Sequence, residues 1–390
     1  MPKVQVFHQE IDEDLFIRSE KLRINNKTLR TPIKAVNMPS LRRDVPIKDT
    51  VKGVNEIFKT IKINDLKKYC FGEKDESTIY RSISTPLNKT DKDNELNICF
   101  VQLPDSKLPE NKEIDFITNI SYINSDITPL PLVQGLFKGD DAFEDYDIFT
   151  DLMQDSIDSI NRLNNKPILG VIPGAMPSFF VDLLIEFYYD NDVTSFAFDF
   201  QGRIYKNFES QIREMMTKIL ELDISNESFL YSCNTQRGKV TKGSTIIKGN
   251  DIAVYNYGFD VMGDSHIPSK MHPDVARRLR ERADNDLNIR LFNSADYGHY
   301  KFSDIDAIRA MYPYDETDIT LDSFDPGIIK ARAYHSQKLF NSERIGLELN
   351  KYKNILDHRE STYEYINTKD QVRDSLDKFR VYRSNLNSLL

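Results

Sequence analysis

The chain has 390 residues, a length that suits either two average domains or one α/β barrel with insertions. Hydrophobic residues at 39% and charged residues at 29%, with 23 Phe and 19 Tyr to fill a core, exclude global disorder. A net charge of −9 excludes a sequence-blind nucleic-acid coat, which draws its affinity from a basic surface, and leaves room only for a local basic patch.

Between residues 16 and 39, the short β-rich runs Leu15-Phe16-Ile17 and Thr31-Pro32-Ile33-Lys34-Ala35-Val36 flank turn chemistry at Asn25-Asn26-Lys27, which predicts a hairpin. Residues 76–95 are polar, contain Pro86 and the run Lys89-Thr90-Asp91-Lys92-Asp93-Asn94, and are expected to form an exposed insertion. Beyond them strand and helix patterns alternate. Strands are expected at 97–103, 115–123, 168–172, 195–200, 228–232 and 251–255. Helices are expected at 146–163, 177–189 and 207–222, where apolar residues recur every three or four positions. A further helix at 273–284, opened by Pro273, crowds Arg277, Arg278, Arg280 and Arg282 together, diluted only by Glu281 and Asp284. From residue 322 to 390 the chain reads as helical, most strongly at 331–349.

Alternating strand and helix builds a parallel sheet covered by helices, either open and doubly wound or closed. No Gly-rich phosphate fingerprint follows the first strand, which counts against the dinucleotide-binding version and favours the barrel. The expected architecture is therefore α/β, a (β/α)8 TIM-type barrel forming one domain over residues 1–390, with an N-terminal hairpin region and C-terminal helices. No apolar run is long enough to cross a bilayer, and residues 1–10 lack the layout of a secretory signal, so no membrane partner is expected. Cys70, Cys99 and Cys233 are too few and too scattered for a disulfide framework, which fits a reducing, cytoplasmic setting.

Several segments, in one order, resemble the tRNA-guanine transglycosylase superfamily. Leu29-Arg30-Thr31-Pro32-Ile33-Lys34-Ala35-Val36 is similar to its opening threonine-proline strand, and Ser125-Asp126-Ile127-Thr128-Pro129-Leu130-Pro131 to its aspartate segment ending in Thr-Pro-x-Pro. Ile168-Leu169-Gly170-Val171-Ile172-Pro173-Gly174-Ala175 resembles the strand ending in Gln-Gly-Gly, and Phe196-Ala197-Phe198-Asp199 the strand after it. Asn288-Ile289-Arg290-Leu291-Phe292-Asn293 through Asp304 resembles the stretch before the zinc motif, and Ala333-Tyr334-His335-Ser336 through Leu347 the C-terminal helix. The chain departs at Pro173, where the family reads the base with glutamine, and it lacks the Cys-x-Cys-x-x-Cys ligands. His335 alone cannot hold zinc, since a structural site needs four ligands, so no metal is expected.

The resemblance implies a branch similar to DNA deazaguanine transglycosylases. Such an enzyme exchanges guanine in DNA, or alternatively in tRNA, for a 7-deazaguanine base of the preQ0 or preQ1 kind, without a cofactor. A non-catalytic binding subunit on the same fold, or another barrel enzyme acting on a small phosphorylated or carboxylated substrate, stays open. So do a homodimer and a partner subunit.

Base exchange passes through an oxocarbenium-like state that a carboxylate can trap, while a second carboxylate moves the proton between bases. For the sugar side the resemblance implies Asp260, in Gly258-Phe259-Asp260-Val261-Met262-Gly263-Asp264-Ser265-His266, with Asp251 as the alternative and with Asp264 and His266 placed to orient substrate. For the base side it implies Asp105, although Lys107 replaces the family's glycine. Asp126 and Asp199 are expected to recognise the base, Gly174 to let it approach backbone, and Tyr257, Tyr255, Phe198 or Phe200 to stack on it. The Arg277, Arg278, Arg280 and Arg282 group is the expected contact to the phosphate backbone.

Overall fold

β1 (Gln5–Ile11), β2 (Arg18–Ile24) and β3 (Lys27–Arg30) form an antiparallel sheet, and Asn25 at φ 55° turns the chain between the last two. A short polar side chain tolerates left-handed backbone, and the expected hairpin is present. The computed structural model describes residues 4–387 other than 92, 106, 140, 164–165, 239–243, 268–273, 275–276, 278–288, 303–304 and 325–329.

Strands and helices then alternate. β4 (Ile33–Lys34), β5 (Val36–Asn37) and β6 (Val54–Thr60) precede α1 (Ile63–Cys70) and α2 (Ser77–Leu87). Next come β7 (Leu96–Leu103), α3 (Asn111–Ile123), β8 (Thr128–Pro129), β9 (Leu132–Val133) and α4 (Ala142–Leu163). β10 (Ile168–Pro173), α5 (Ser178–Asp190), β11 (Ser195–Asp199), α6 (Glu209–Glu221) and β12 (Leu230–Cys233) follow, then β13 (Ile246–Lys248) and β14 (Val261–Met262).

The ladders among β4 to β12 and β14 are parallel. Parallel neighbours need a crossover, which α3 to α6 supply, so the fold is α/β. One sheet runs β4-β14-β12-β11-β10-β8 and the other β5-β6-β7-β9. Only Ala35 separates β4 from β5, and its N–H bonds Met262 O at 2.9 Å. Only Leu130 and Pro131 separate β8 from β9, and Leu130 N bonds Leu169 O at 3.0 Å. Side chains of the two sheets meet between them: Phe100, stacked on its sheet neighbour Phe58 at 4.9 Å, meets Tyr231 of the other sheet at 5.2 Å.

Three sequence expectations are corrected. Residues 115–123 are the body of α3, not a strand. Ile114, Ile117 and Ile120 fall on one buried helical face, and Glu110 with Glu113 forms a capping box that starts the helix. Residues 251–255 lie in a 3-10 turn, Ile252–Asn256, closed by Val254 N to Asp251 O and Tyr257 N to Val254 O; the strand comes later, as β14. The polar stretch 76–95 is not wholly exposed, because α2 buries Ile79 and Ile83.

Beyond β14, β15 (Ile289–Asn293) and β16 (Gly298–Phe302) join β13 in an antiparallel sheet, followed by α7 (Ile305–Met311) and α8 (Lys330–Asp357). α9 (Thr362–Asn367) and α10 (Leu376–Leu386) end the chain's helical part. α8 seals itself to β15 through Asn341, which accepts from Phe292 N at 2.7 Å and donates to Arg290 O at 2.9 Å. Glu348 of α8, 1% exposed, accepts from Tyr297 at 2.9 Å, Tyr365 at 2.7 Å and Lys351 at 2.6 Å. This buried carboxylate ties the C-terminal helices to the β15–β16 turn. His335, in the position where the family resemblance puts a zinc ligand, instead faces Ser40 Oγ at 3.3 Å. Among the described residues no helix is long and apolar enough to cross a membrane.

Candidate functional site at the carboxyl ends of the parallel strands

β11 ends on Asp199, whose other strand residues are apolar or small, so burial carries its carboxyl to 1% exposure. That burial pushes the Asp199 pKa up to about 6, against the hydrogen bonds from Asn234 Nδ2 (2.8 Å) and Gln201 N (2.9 Å) that favour the ionised form. Asn234, just past β12, also accepts from His266 N at 2.9 Å, and its own N–H bonds Asp264 O at 3.2 Å. One amide thus joins the ends of β11, β12 and β14.

Glu56 of β6 is fully buried in the same network. Its Oε1 meets His266 Nε2 at 2.6 Å and accepts from Asp264 N at 3.0 Å, while Oε2 accepts from the Tyr231 hydroxyl. The His266 ring lies flat on Phe58, 4.0 Å between centroids, which fixes its plane. Gly263 is required beside this pair, because a Cβ there would stand 2.0 Å from Glu56 Oε2 and 2.8 Å from the Tyr231 hydroxyl.

Asp264 points its carboxylate the other way, to Lys34 Nζ at 2.7 Å and Asn37 Nδ2 at 3.2 Å, with Lys338 Nζ at 3.9 Å. Burial opposes ionisation here, but Lys34, Lys338 and His266 outweigh it and hold the carboxyl well below the usual carboxylate range. Asp264 borders a cavity of about 280 Å³ whose wall includes Lys34, Thr235, Arg237, Asp251, Arg290 and Lys338. A carboxylate held ionised at a cavity, joined through backbone to a Glu-His pair and to a carboxyl that burial pushes up to about 6, has the parts for nucleophilic or electrostatic catalysis with proton transfer.

Asp199 and His266 are therefore brought together through Asn234, and Asp251 borders the cavity beside Asp264, bonded to buried His299 at 3.0 Å. Asp260 is not. Its carboxylate bonds Leu230 N, the first residue of β12, at 2.7 Å, whereas Asp199 pairs with Cys233, the last. A strand rises about 3.3 Å per residue, so the two carboxyls are separated by most of the strand's length. Asp260 is fully buried against Arg18 (2.7 Å) and Thr31 (3.3 Å) and holds the hairpin under the strands' amino ends. Asp126 belongs to that end too, where it accepts from Asn97 N at 2.7 Å and pairs with Lys27 at 2.8 Å. Base recognition by Asp126 is corrected to a structural clamp.

Asp105 does follow β7, yet it accepts from Ile63 N at 2.7 Å and so caps α1. Gly174 gives its N–H to Asp199 O at 2.9 Å, and a Cβ there would lie 2.7 Å from that oxygen; the glycine serves chain packing, with no donor left for a base. Tyr257 packs among Tyr205, Phe379 and Tyr382 at 4.7–5.4 Å between centroids and borders a separate groove with Glu209 and Arg213. Tyr255 is buried and donates to Ile33 O at 2.7 Å, and Phe198 and Phe200 pack on Phe208 and Phe259, so all three are core. Arg277 is exposed and pairs with Asp274 at 3.3 Å; Arg278, Arg280 and Arg282 lie outside the described residues.

Glu56, Lys34, Asn37, Tyr231, Asn234 and Lys338 were not singled out by the sequence. Lys34 carried a usable signal, a cation inside the apolar run Ile33-Lys34-Ala35-Val36, which a strand buries only beside a partner.

No protein-family model matches the chain, and no curated protein matches it. Among solved structures it is similar to an enolase protein from environmental sequencing of the Sargasso Sea, with 9% identity over 62% of this chain and 56% of that one and a TM-score of 0.31. It is also similar to the carboxyl transferase domain of Rhizobium etli pyruvate carboxylase, with 10% identity over 88% of this chain and 53% of that one and a TM-score of 0.36. The chain spans about half the length of these chains.

Proposed function

We propose that the two parallel sheets are one closed eight-stranded ring and that the chain is an enzyme of the base-exchange transglycosylase kind. The ladders support a ring: counting β4 with β5 and β8 with β9 as single bent strands, the pairings run through eight segments and return to the first. Carboxyl ends of barrel strands are where such folds place chemistry, and Asp264, Asp199 and His266 gather there.

The observation that carries the reading is the ionised Asp264 at the cavity, held by Lys34 and Asn37. In the proposed reaction an Asp264 oxygen attacks C1′ of the target nucleoside as the C1′–N9 bond breaks and its electron pair leaves on guanine. A proton delivered from the Asp199, His266 and Glu56 group neutralises the departing base. The incoming 7-deazaguanine returns that proton as its N9 attacks C1′ and frees Asp264, so the cycle is proton-neutral and needs no redox partner. The nucleoside has to leave its stack to reach the strand ends. DNA is the proposed substrate, with tRNA as the other.

The test incubates the protein with duplex DNA or tRNA and labelled guanine, with acid trapping of any covalent adduct. Exchange and an adduct, both lost in Asp264→Asn, are expected. A deazaguanine bound without exchange into either nucleic acid would instead mark a binding subunit.

A further inference from the structure

The cavity beside Asp264 carries more positive charge than its own acids neutralise. Lys34 lies on Asp264 at 2.7 Å, and Asp251 is shared between His299 at 3.0 Å and Arg237 at 3.8 Å. Arg290 and Lys338 are left as the surplus, with Lys338 no nearer to an acid among the described residues than 3.9 Å from Asp264. Burial and, after it, the Arg237 guanidinium both push the Arg290 pKa down, so two like charges face one space at a cost the fold does not recover.

Two buried donors on that wall also lack partners. Arg290 Nη1 and Thr235 Oγ1 are both shut off from solvent and have no hydrogen-bond partner among the described residues, and Thr235 is only 5% exposed. A buried polar group left unmade is expensive, and two on one cavity wall beside surplus cations define the complement of an anion with several oxygens. Guanidinium forks suit the oxygens of a phosphate, and the cavity's about 280 Å³ suits a small group over a drug-sized ligand.

We propose that Arg290, Thr235, Lys338 and Arg237 form a phosphate-ester site. Its assignment to the phosphate next to the exchanged nucleoside rests on the base-exchange reading, whereas phosphate binding itself rests on the cavity alone. Arg290 supplies the fork, Thr235 a hydroxyl donor, and Lys338 spans the phosphate and Asp264.

Calorimetric titration tests this with three probes: inorganic phosphate, ribose 5-phosphate and a dinucleotide with one phosphodiester. Saturable binding of at least one is expected, weakened tenfold or more in Arg290→Gln and in Thr235→Val. Thr235→Ser keeps the hydroxyl and is expected to bind as the native protein does, and so is Arg309→Gln, which removes an exposed charge elsewhere. Tighter binding of the dinucleotide assigns the site to a nucleic-acid strand, and tighter binding of ribose 5-phosphate to a free sugar phosphate. No saturable heat with any probe, or unchanged binding in Thr235→Val, overturns the proposal. Should Arg290→Gln lose its fold by circular dichroism, the Thr235 pair decides. Phosphate binding without base exchange would leave this site standing and remove the transglycosylase reading; exchange without phosphate binding would do the reverse.

Discussion

Asp260 and Asp264 flank the two-residue strand β14, and their surroundings divide their work. Asp260 is enclosed by Arg18, Thr31 and Leu230 N, so Asp260→Asn leaves Arg18 facing Glu20 with one carboxylate fewer. Glu20 stays to balance Arg18, so the loss is that of the charge-assisted bonds to Arg18 and Leu230 N, and urea unfolding is expected to show about 1–3 kcal/mol. Asp264→Asn removes the cavity's ionised group and is expected to lower base exchange by on the order of a thousandfold or more. Its stability should fall less, because the Asp264 side chain keeps some solvent contact, 14% exposed against none for Asp260. Asp199 sets the pH response: with its carboxyl raised to about 6 by burial, it holds a proton for the departing base only below that value. Exchange is expected to fall as pH climbs through about 6, and the Asp199→Asn profile to be flat there.

At the scale of elements, β10, β11 and β12 were legible because a strand buried on both faces is an unbroken apolar run, and Asp199 stood out as the one charge closing such a run. α3 was misread because the β-branched Ile residues that favour strands also sit at helical spacing, and the capping box at Glu110 and Glu113 was the signal that decides. β14 could not be read from two residues, and taking 251–255 as the strand displaced the site by one end of a strand, from Asp264 to Asp260. Glu56 stayed hidden since no strand was expected over Val54–Thr60, and only its meeting with residues distant in sequence, Tyr231 and His266, gives it a partner there. Gly263→Ala tests this packing: the added Cβ must displace Glu56, which is expected to cost about 1–3 kcal/mol and to loosen His266 from Phe58. Glu348→Ala tests how α8 is fastened, since it strands two tyrosine hydroxyls and leaves Lys369, 3.8 Å away, without its carboxylate. Proteolysis is expected to clip the region beyond α8 faster in that variant, with α9 and α10 released first.

For the whole molecule, the hairpin's Arg18 lies between two buried carboxyls, Glu20 at 3.2 Å and Asp260 at 2.7 Å, so the cluster holds one acid more than its cation balances. Burial raises the Glu20 carboxyl from 4.5 to about 8, with Arg18 offsetting part of it. The folded protein therefore keeps a proton that the unfolded chain releases. That contribution to stability is complete below about pH 4.5 and is lost as pH rises through about 8. Asp264 works with the opposite sign: its depressed carboxyl stabilises the fold above the ordinary aspartate range and gives this up only in stronger acid. Unfolding free energy is thus expected to be highest in mild acid and to fall between pH 5 and 8 by on the order of a few kcal/mol. Asp199, raised to about 6, adds its share below that pH, so Glu20→Gln should flatten the slope between pH 6 and 8 and be the more stable protein at pH 8. The chain's −9 charge at pH 7 produces a similar slope by surface repulsion, and salt tells the two apart. Repulsion between exposed charges fades once the Debye length shrinks to about 3 Å in 1 M salt, whereas a proton held on a buried acid does not respond. A slope between pH 6 and 8 that persists in 1 M salt for the native chain and is absent in Glu20→Gln assigns it to the hairpin cluster; a slope there that salt abolishes in both assigns it to the surface.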